Sequence, residues 1–301
     1  MDSNNASWAL DKSNLLTTEE MAQFVARGFV EFEAVVPEEI NRAAIAEFEL
    51  TGIADMVRPK PKSGALLSDI YPDPSPIGQM LRLDRVQGII HSLVGLDAVY
   101  DHDWVHVREA GDILDQYLHQ DAIIDVTRSF DIQLFWFPHD VVPGGGGTGY
   151  VPGSHLRSVN QADIARYQNF SGQADFSGPA GSIVVFHQGM WHRGRANHSE
   201  TRRWMYKIRL NPQSPQVRRW NLDDYDAVKG EQSDHIFGSY DPRAVSAKFR
   251  TPEPWFEFAA SRLETVNRAR LWRYVTGDET YDSDWYLTRT ESREALDGGA
   301  R

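Results

Sequence analysis

Tyr117-Leu118-His119-Gln120-Asp121, followed by Phe130-Asp131-Ile132-Gln133-Leu134-Phe135-Trp136-Phe137, is the stretch on which the reading of this 301-residue chain turns. The second segment, like Trp104-Val105-His106-Val107 upstream, is rich in aromatic and β-branched residues, and such runs favour extended backbone. In a strand, residues i and i+2 point to one side, so His119 and Asp121 can reach the same ion while Gln120 points away; a helix would splay them. The triplet alone is common by chance, and its setting is what raises it. A second imidazole follows, at His187 or His192, and then the pair Arg202-Arg203. Two imidazoles and one carboxylate on one face of a metal, with the other positions open, suit non-haem Fe(II) that binds a co-substrate and O2. The chemistry expected of such a centre is oxidation.

Composition narrows the alternatives. The chain has no cysteine, which excludes disulfides, Cys-ligated zinc, Fe–S clusters and thiol nucleophiles, and is compatible with a reducing compartment. The start, Met1-Asp2-Ser3-Asn4-Asn5, lacks the basic-then-apolar pattern of a secretory signal, and no apolar run is long enough to span a bilayer. A soluble, cytoplasmic protein with no membrane partner is expected. Lys plus Arg number 31 against 43 Asp plus Glu, a net charge of −12, which disfavours nucleic acid as a partner. Basic residues do cluster locally, at Arg58, Lys60 and Lys62, and at Arg193, Arg195, Arg202, Arg203, Lys207 and Arg209. Solvated surface charge accounts for the first cluster as well as a ligand does. The second overlaps the histidines, which points to a small anionic ligand.

Along the chain, Thr17 to Arg27 reads as a helix with Thr17 and Glu20 as a capping box and Gly28 as its stop. Phe29 to Phe32 alternates as a strand, Pro37 to about Leu50 reads as a helix opened by proline, and a further helix is expected from Pro76 to about Val94. Between them, residues 57–75 form a proline-rich loop. From about 98 to 211 the signals become short strands, at 98–109, 117–121, 130–137, 148–152, 182–187 and 203–210. Strands following helices without βαβ alternation argue against a doubly wound sheet and for a mainly β, double-sheet barrel with flanking helices. Residues 212–301 read as a loop-rich extension with one helix from about Glu253 to Val275, whose apolar positions Trp255, Ala259, Leu263, Val266 and Ala269 follow helical spacing. That helix is expected either to pack on the sheet or to form the surface of a homodimer. Without repeat or linker, one domain over 1–301 is the simpler organisation, with a helical part at about 15–95 and the β core at about 98–211.

Other motifs fall away. Gly144-Gly145-Gly146-Gly147-Thr148-Gly149 matches G-x-G-x-x-G in form, but Tyr150-Val151-Pro152-Gly153 follows where a dinucleotide site needs a helix N-terminus. There is neither a G-x-S-x-G elbow nor a G-K-[ST] phosphate loop. Within the last strand, alternation places Arg202, Trp204, Tyr206, Ile208 and Leu210 on one side and Arg203, Met205, Lys207 and Arg209 on the other, so only one of the adjacent arginines can face the metal.

Taken in order, His119-Gln120-Asp121, Gly149-Tyr150-Val151-Pro152-Gly153-Ser154-His155, Gly181-Ser182 leading to Phe186-His187 and His192, then Asn197-x-Ser199 and Arg203, resemble the phytanoyl-CoA dioxygenase-like family of Fe(II)/2-oxoglutarate oxygenases, over roughly residues 15–211. The resemblance implies a double-stranded β-helix, or jelly roll, with His119, Asp121 and His192 as iron ligands, which prefers His192 to His187. It also implies that Arg203 pairs with the distal carboxylate of 2-oxoglutarate, although the apolar side of the strand would have pointed to Arg202, and that Gln120 and Trp136 contact the co-substrate. The hydroxyl residue that some relatives carry two positions after the distal histidine is replaced by Gly194, so that hydrogen bond must come from elsewhere or be missing. The function implied is a dioxygenase that uses Fe(II), 2-oxoglutarate and O2, hydroxylates a small organic molecule (a secondary metabolite or acyl-type substrate) and releases succinate and CO2. Arg108, Lys207, Arg209 and the loop at 57–68 are candidates to meet an anionic or polar substrate. The rival reading is a jelly-roll module that binds a metal or ligand without turnover.

Overall fold

A computed structural model describes residues 11–51, 61–70, 74–121, 127–157, 169, 171–230, 241–256 and 258–284. At its centre lies a five-stranded antiparallel sheet of β1 (Phe29–Phe32), β2 (Val99–Arg108), β3 (Ile132–Phe137), β6 (Ser182–His187) and β8 (Arg203–Asn211), in the order β1-β6-β3-β8-β2. A smaller antiparallel sheet of β4 (Thr148–Tyr150), β5 (Ala174–Asp175) and β7 (His192–Gly194) runs in the order β5-β4-β7. Strands β3 and β6 are buried on both faces, which is why their sequences read as unbroken apolar runs. The mainly β, jelly-roll architecture with flanking helices is thus present. Residues 117–121, expected as a strand, contribute only one bridge, His119 opposite His192.

Side-chain alternation divides the large sheet's residues between two cores. Ile132, Leu134 and Trp136 of β3, Ile183 and Val185 of β6, and Trp204, Tyr206, Ile208 and Leu210 of β8 join the helices in the main core. Phe135, Phe137, Val184, Phe186 and Met205, of opposite parity, pack with Tyr150 and Phe176 in a second core between the sheets. The N-terminal helix, Thr18–Arg27, carries the expected capping box and buries Met21, Phe24 and Val25 in the main core. Pro76 to Val94 forms two helices, Pro76–Leu81 and Asp84–Val94, because Leu83 is extended and the second helix begins afresh at Asp84.

The C-terminal helix, Phe258–Thr276, packs with the main core through Ala269, Leu271, Trp272 and Val275. It also buries Glu264 and Arg268, while Leu263, expected on its inward face, is exposed. The apolar spacing misled here because the buried face includes charged groups with partners. Arg268 donates to the carbonyls of Ala26, Phe249 and Thr251, and Glu264 accepts from Arg157 at 2.7 Å. Among the described residues no helix is long and apolar enough to cross a membrane.

Gly28 ends the N-terminal helix with φ of +81°, and a Cβ there would stand 2.5 Å from Nδ1 of the buried His155. Both the left-handed backbone and the contact disfavour any side chain. Gly28→Ala is expected to lower unfolding free energy by about 1–3 kcal/mol, measured as a lower urea midpoint at unchanged slope.

Candidate active site

The loop after β2 delivers His119 and Asp121, and β7 delivers His192. Reciprocal backbone hydrogen bonds join His119 and His192, at 3.0 Å from His119 N–H to the His192 carbonyl and 2.9 Å in return. The three side chains each offer one donor atom, all within 4.8 Å of one another. His119 Nε2 lies 3.4 Å from Asp121 Oδ1, close to the ~3 Å that bonds of about 2.1 Å at right angles to one ion would give. Each ring is held by its other nitrogen. His119 Nδ1 contacts the Tyr117 carbonyl at 2.9 Å and His192 Nδ1 the Met190 carbonyl at 3.0 Å. A carbonyl only accepts, so Nδ1 carries the proton in both rings and Nε2 presents its lone pair.

Burial alone would raise the Asp121 carboxyl, but His192, Lys207 and His119 outweigh it and hold it well below the usual carboxylate range. Lys207 Nζ donates to Asp121 Oδ2 at 2.5 Å. Burial lowers His192 to about 4, which keeps its ring neutral. These are the protonation states a metal requires of its ligands.

His187 is placed differently. The Gly189 N–H donates to its Nδ1 at 3.0 Å, so its proton sits on Nε2, which has no partner. It packs against Phe24, Phe130 and His155 in the interior rather than beside Asp121.

A cavity of about 360 Å³ opens over His119 and His192, lined by His106, Arg108, Leu114, Gln116, Phe135, Thr148, Arg193, Arg203, Met205 and Lys207 among others. Arg203 faces it and is almost fully buried. Its Nε donates to the Gly146 carbonyl at 2.6 Å, its Nη1 has no partner among the described residues, and burial beside Arg108 pushes the guanidinium down to about 9. Arg202 points to the opposite, outer side, pairing with Glu109 and lying over the Trp204 ring. The apolar side of β8 is therefore the side covered by helices, and the charged side faces the cavity.

Two expectations for the co-substrate need correction. Trp136 is not on the cavity wall; it belongs to the main core, where its Nε1 donates to Asn41. Its neighbour Phe135 lines the cavity instead, since a shift of one residue in a strand exchanges faces. Gln120 is likewise turned away, its Nε2 donating to the carbonyls of Gly189 and Arg157. Arg209 pairs with Asp131 and Asp101 and does not line the cavity. Of the loop at 57–68, residues 57–60 lie outside the described residues, and 61–68 do not line the cavity.

Sequence reasoning missed several lining residues, four of which bear on the chemistry of the site. Thr148 lies in register opposite Gly194, where relatives' hydroxyl would stand, and the β4–β7 pairing that places it there is invisible in the sequence. Gln116 pairs with the backbone of Gly194, its Oε1 accepting from that residue's N–H at 3.1 Å. His106, pushed down to about 3 by burial and by nearby Lys207 and Arg203, presents a neutral ring. Phe135 is the fourth. The parity of β2 and β3 was the available signal for the last two.

The phytanoyl-CoA dioxygenase (PhyH) family profile matches residues 13–205. The chain belongs to that family, and through it to the Fe(II)/2-oxoglutarate-dependent oxygenases, whose cofactor and co-substrates are iron, 2-oxoglutarate and O2. Comparison with curated protein sequences gives no match. Among solved structures, the chain is similar in fold to the non-heme alpha ketoglutarate dependent carbocyclase SnoK from nogalamycin biosynthesis, with 19% identity, TM-score 0.51, and coverage of 76% of this chain and 96% of that one. It is similar also to AviO1 from Streptomyces viridochromogenes Tue57 (18%, TM-score 0.51, coverage 68% and 96%) and to iron-bound HygX from Streptomyces hygroscopicus (15%, TM-score 0.51, coverage 75% and 95%).

Burial holds His187 at about 3 in the folded chain against 6.5 in the unfolded one, so between those values the unfolded chain binds the extra proton. The stability this gives is fully present above about pH 6.5 and falls on acidification, by about 1.4 kcal/mol per pH unit for one such group, down to about pH 3. Urea unfolding at a series of pH values is expected to show this decline, and His187→Phe to flatten it.

Proposed function

We propose that this protein is an Fe(II)/2-oxoglutarate-dependent hydroxylase of a small organic molecule, with His119, Asp121 and His192 holding the metal and Arg203 the co-substrate. The observation that carries the reading is the buried Arg203 guanidinium, whose Nη1 has no partner among the described residues, in the cavity lined by His119 and His192, the two imidazoles that cluster with Asp121. A buried cation with an unused N–H calls for a carboxylate, and 2-oxoglutarate brings one at the far end from its chelating keto acid. Thr148, opposite Gly194, is suited to give that carboxylate the hydroxyl hydrogen bond that position 194 lacks. Bound iron supplies oxidative decarboxylation of the keto acid coupled to oxidation of a substrate C–H bond. The chain's own part is to orient both imidazoles through their Nδ1 contacts, to keep His192 neutral, to hold the Asp121 carboxylate through Lys207, and to seat the co-substrate between Arg203 and the metal ligands. Phe135 and Met205 keep that wall dry.

Hydroxylation is the finer part of the proposal, since the similar structures include proteins described as a carbocyclase and an epimerase. Succinate release coupled to O2 uptake, with a product heavier by one oxygen atom, tests it; a binding module would give neither.

Alanine at His119, Asp121 or His192 is expected to abolish the visible absorption band of the anaerobic Fe(II)–2-oxoglutarate complex, while His187→Ala in folded protein retains it. Loss with His187→Ala and retention with His192→Ala would reverse the assignment.

For the arginine, a charge-assisted contact of about 1.5–3 kcal/mol corresponds to roughly ten- to a hundredfold weaker 2-oxoglutarate in Arg203→Ala, measured by titration of the same band. Arg203→Lys should recover only part, because it lacks the planar fork. Arg202→Ala should be near neutral, as Arg202 sits on the other side of the sheet.

A further inference from the structure

The arginine-rich sequence around the site suggested an anionic ligand, but the fold provides these cations with acids. Arg108 pairs with Asp112 at 3.0 Å, Arg193 with Asp115 at 3.6 Å and Lys207 with Asp121 at 2.5 Å. Just beyond the wall, Arg195 pairs with Asp115 and Asp175, and Arg209 with Asp131 and Asp101. Among the described residues, Arg203 alone of the arginines and lysine lining the cavity faces it without a carboxylate, and one keto diacid satisfies it. A second anion would have to displace an aspartate from a partly buried pair, and leaving such a group unpaired is costly.

The mouth has the opposite character. Exposed large apolar side chains among the described residues are Leu50, Leu96, Trp104, Ile113, Leu114, Tyr117, Val142 and Leu263. Four of these eight, Trp104, Ile113, Leu114 and Tyr117, lie on the single stretch that runs from β2 to His119. Leu114 lines the cavity while 70% exposed, and Tyr117, 75% exposed, directly precedes Leu118 and His119. Trp104 shares the parity of His106 and Arg108, both cavity residues, and stands across from Lys207. Apolar residues scattered singly need no explanation, but a group at the entrance of a site does. The cavity's 360 Å³ is at the low end of the ~300–1,000 Å³ of ligand pockets and must also hold the co-substrate, so most of a second ligand has to lie outside it.

We propose that the substrate is an uncharged molecule whose reacting end enters the cavity and whose apolar body lies across Trp104, Leu114 and Tyr117. This rests on the oxygenase reading of the site. Recognition is then by apolar contact at the mouth, while charge recognition inside is used up by 2-oxoglutarate and by the internal ion pairs. An uncharged substrate of this kind departs from the sequence expectation of an anionic or polar one.

The test uses the full chain, loaded anaerobically with Fe(II) and 2-oxoglutarate, with the visible band confirming loading. Calorimetry then compares 2-acetylnaphthalene with 2-naphthoate, which share a ring system and differ in charge. The neutral probe is expected to bind at least tenfold tighter, and Leu114→Ser with Trp104→Ser to weaken it about tenfold while 2-oxoglutarate affinity is unchanged. If the band never forms, the oxygenase reading fails first. If it forms but the naphthoate binds as tightly, or the double variant leaves the neutral probe's affinity unchanged, the proposal is overturned. A double variant that alters the sedimentation coefficient and not probe affinity would assign the patch to contact between copies of the chain and overturn it equally. Circular dichroism of the double variant establishes that it is folded, and Leu114→Ala alone, with a smaller loss in the same direction, provides a second reading.

Discussion

Strict alternation of side chains in β8 is the constraint from which the site follows. With Trp204, Tyr206, Ile208 and Leu210 committed to the helix-covered core, Arg203, Met205, Lys207 and Arg209 have no option but the space between the sheets. That space is where the cations of β8 meet acids from other segments, as Lys207 meets Asp121 and Arg209 meets Asp131. A slip of one residue would bury Arg202 and Trp204 between the sheets and turn Lys207 away from Asp121.

Charge inside the fold is stabilised locally rather than by solvent. Asp121 is held by the Lys207 ammonium, Glu264 by Arg157, and Asp131 by Arg209. Each pair balances a desolvation cost that neither member would bear alone. Arg203 is the exception on the cavity wall, where no carboxylate among the described residues meets it and its Nη1 has no hydrogen-bond partner among them.

Support for His192 reaches well beyond the β core. The Ser154 hydroxyl bridges the Trp191 N–H and the Met190 sulfur, Trp191 packs against Trp255, and the Trp255 Nε1 donates to the Pro152 carbonyl. Arg157 stacks over Trp255 and pairs with Glu264 of the C-terminal helix. The extension after β8 thus braces the turn that presents the distal histidine, a role that nothing in its loop-rich sequence announces.

Much was legible in the residues themselves: the capped first helix and its glycine stop, the strand runs, and the relation of His119 to Asp121, all set by short-range rules of period and sterics. The choice of His192 and Arg203 was supplied by the resemblance to a family, because single-strand parity names two sides of β8 without saying which is inner. The placement of Phe135 rather than Trp136 on the cavity wall, the pairing of Thr148 with Gly194 and the acids opposite each cation were decided by tertiary structure alone. Each depends on which strand lies beside which, and cross-strand register brings together residues tens of positions apart whose types carry no local signal of one another. The buried face of the C-terminal helix belongs to the same class, for apolar spacing cannot anticipate that Arg268 will find three carbonyls and Glu264 an arginine once the chain has closed around them.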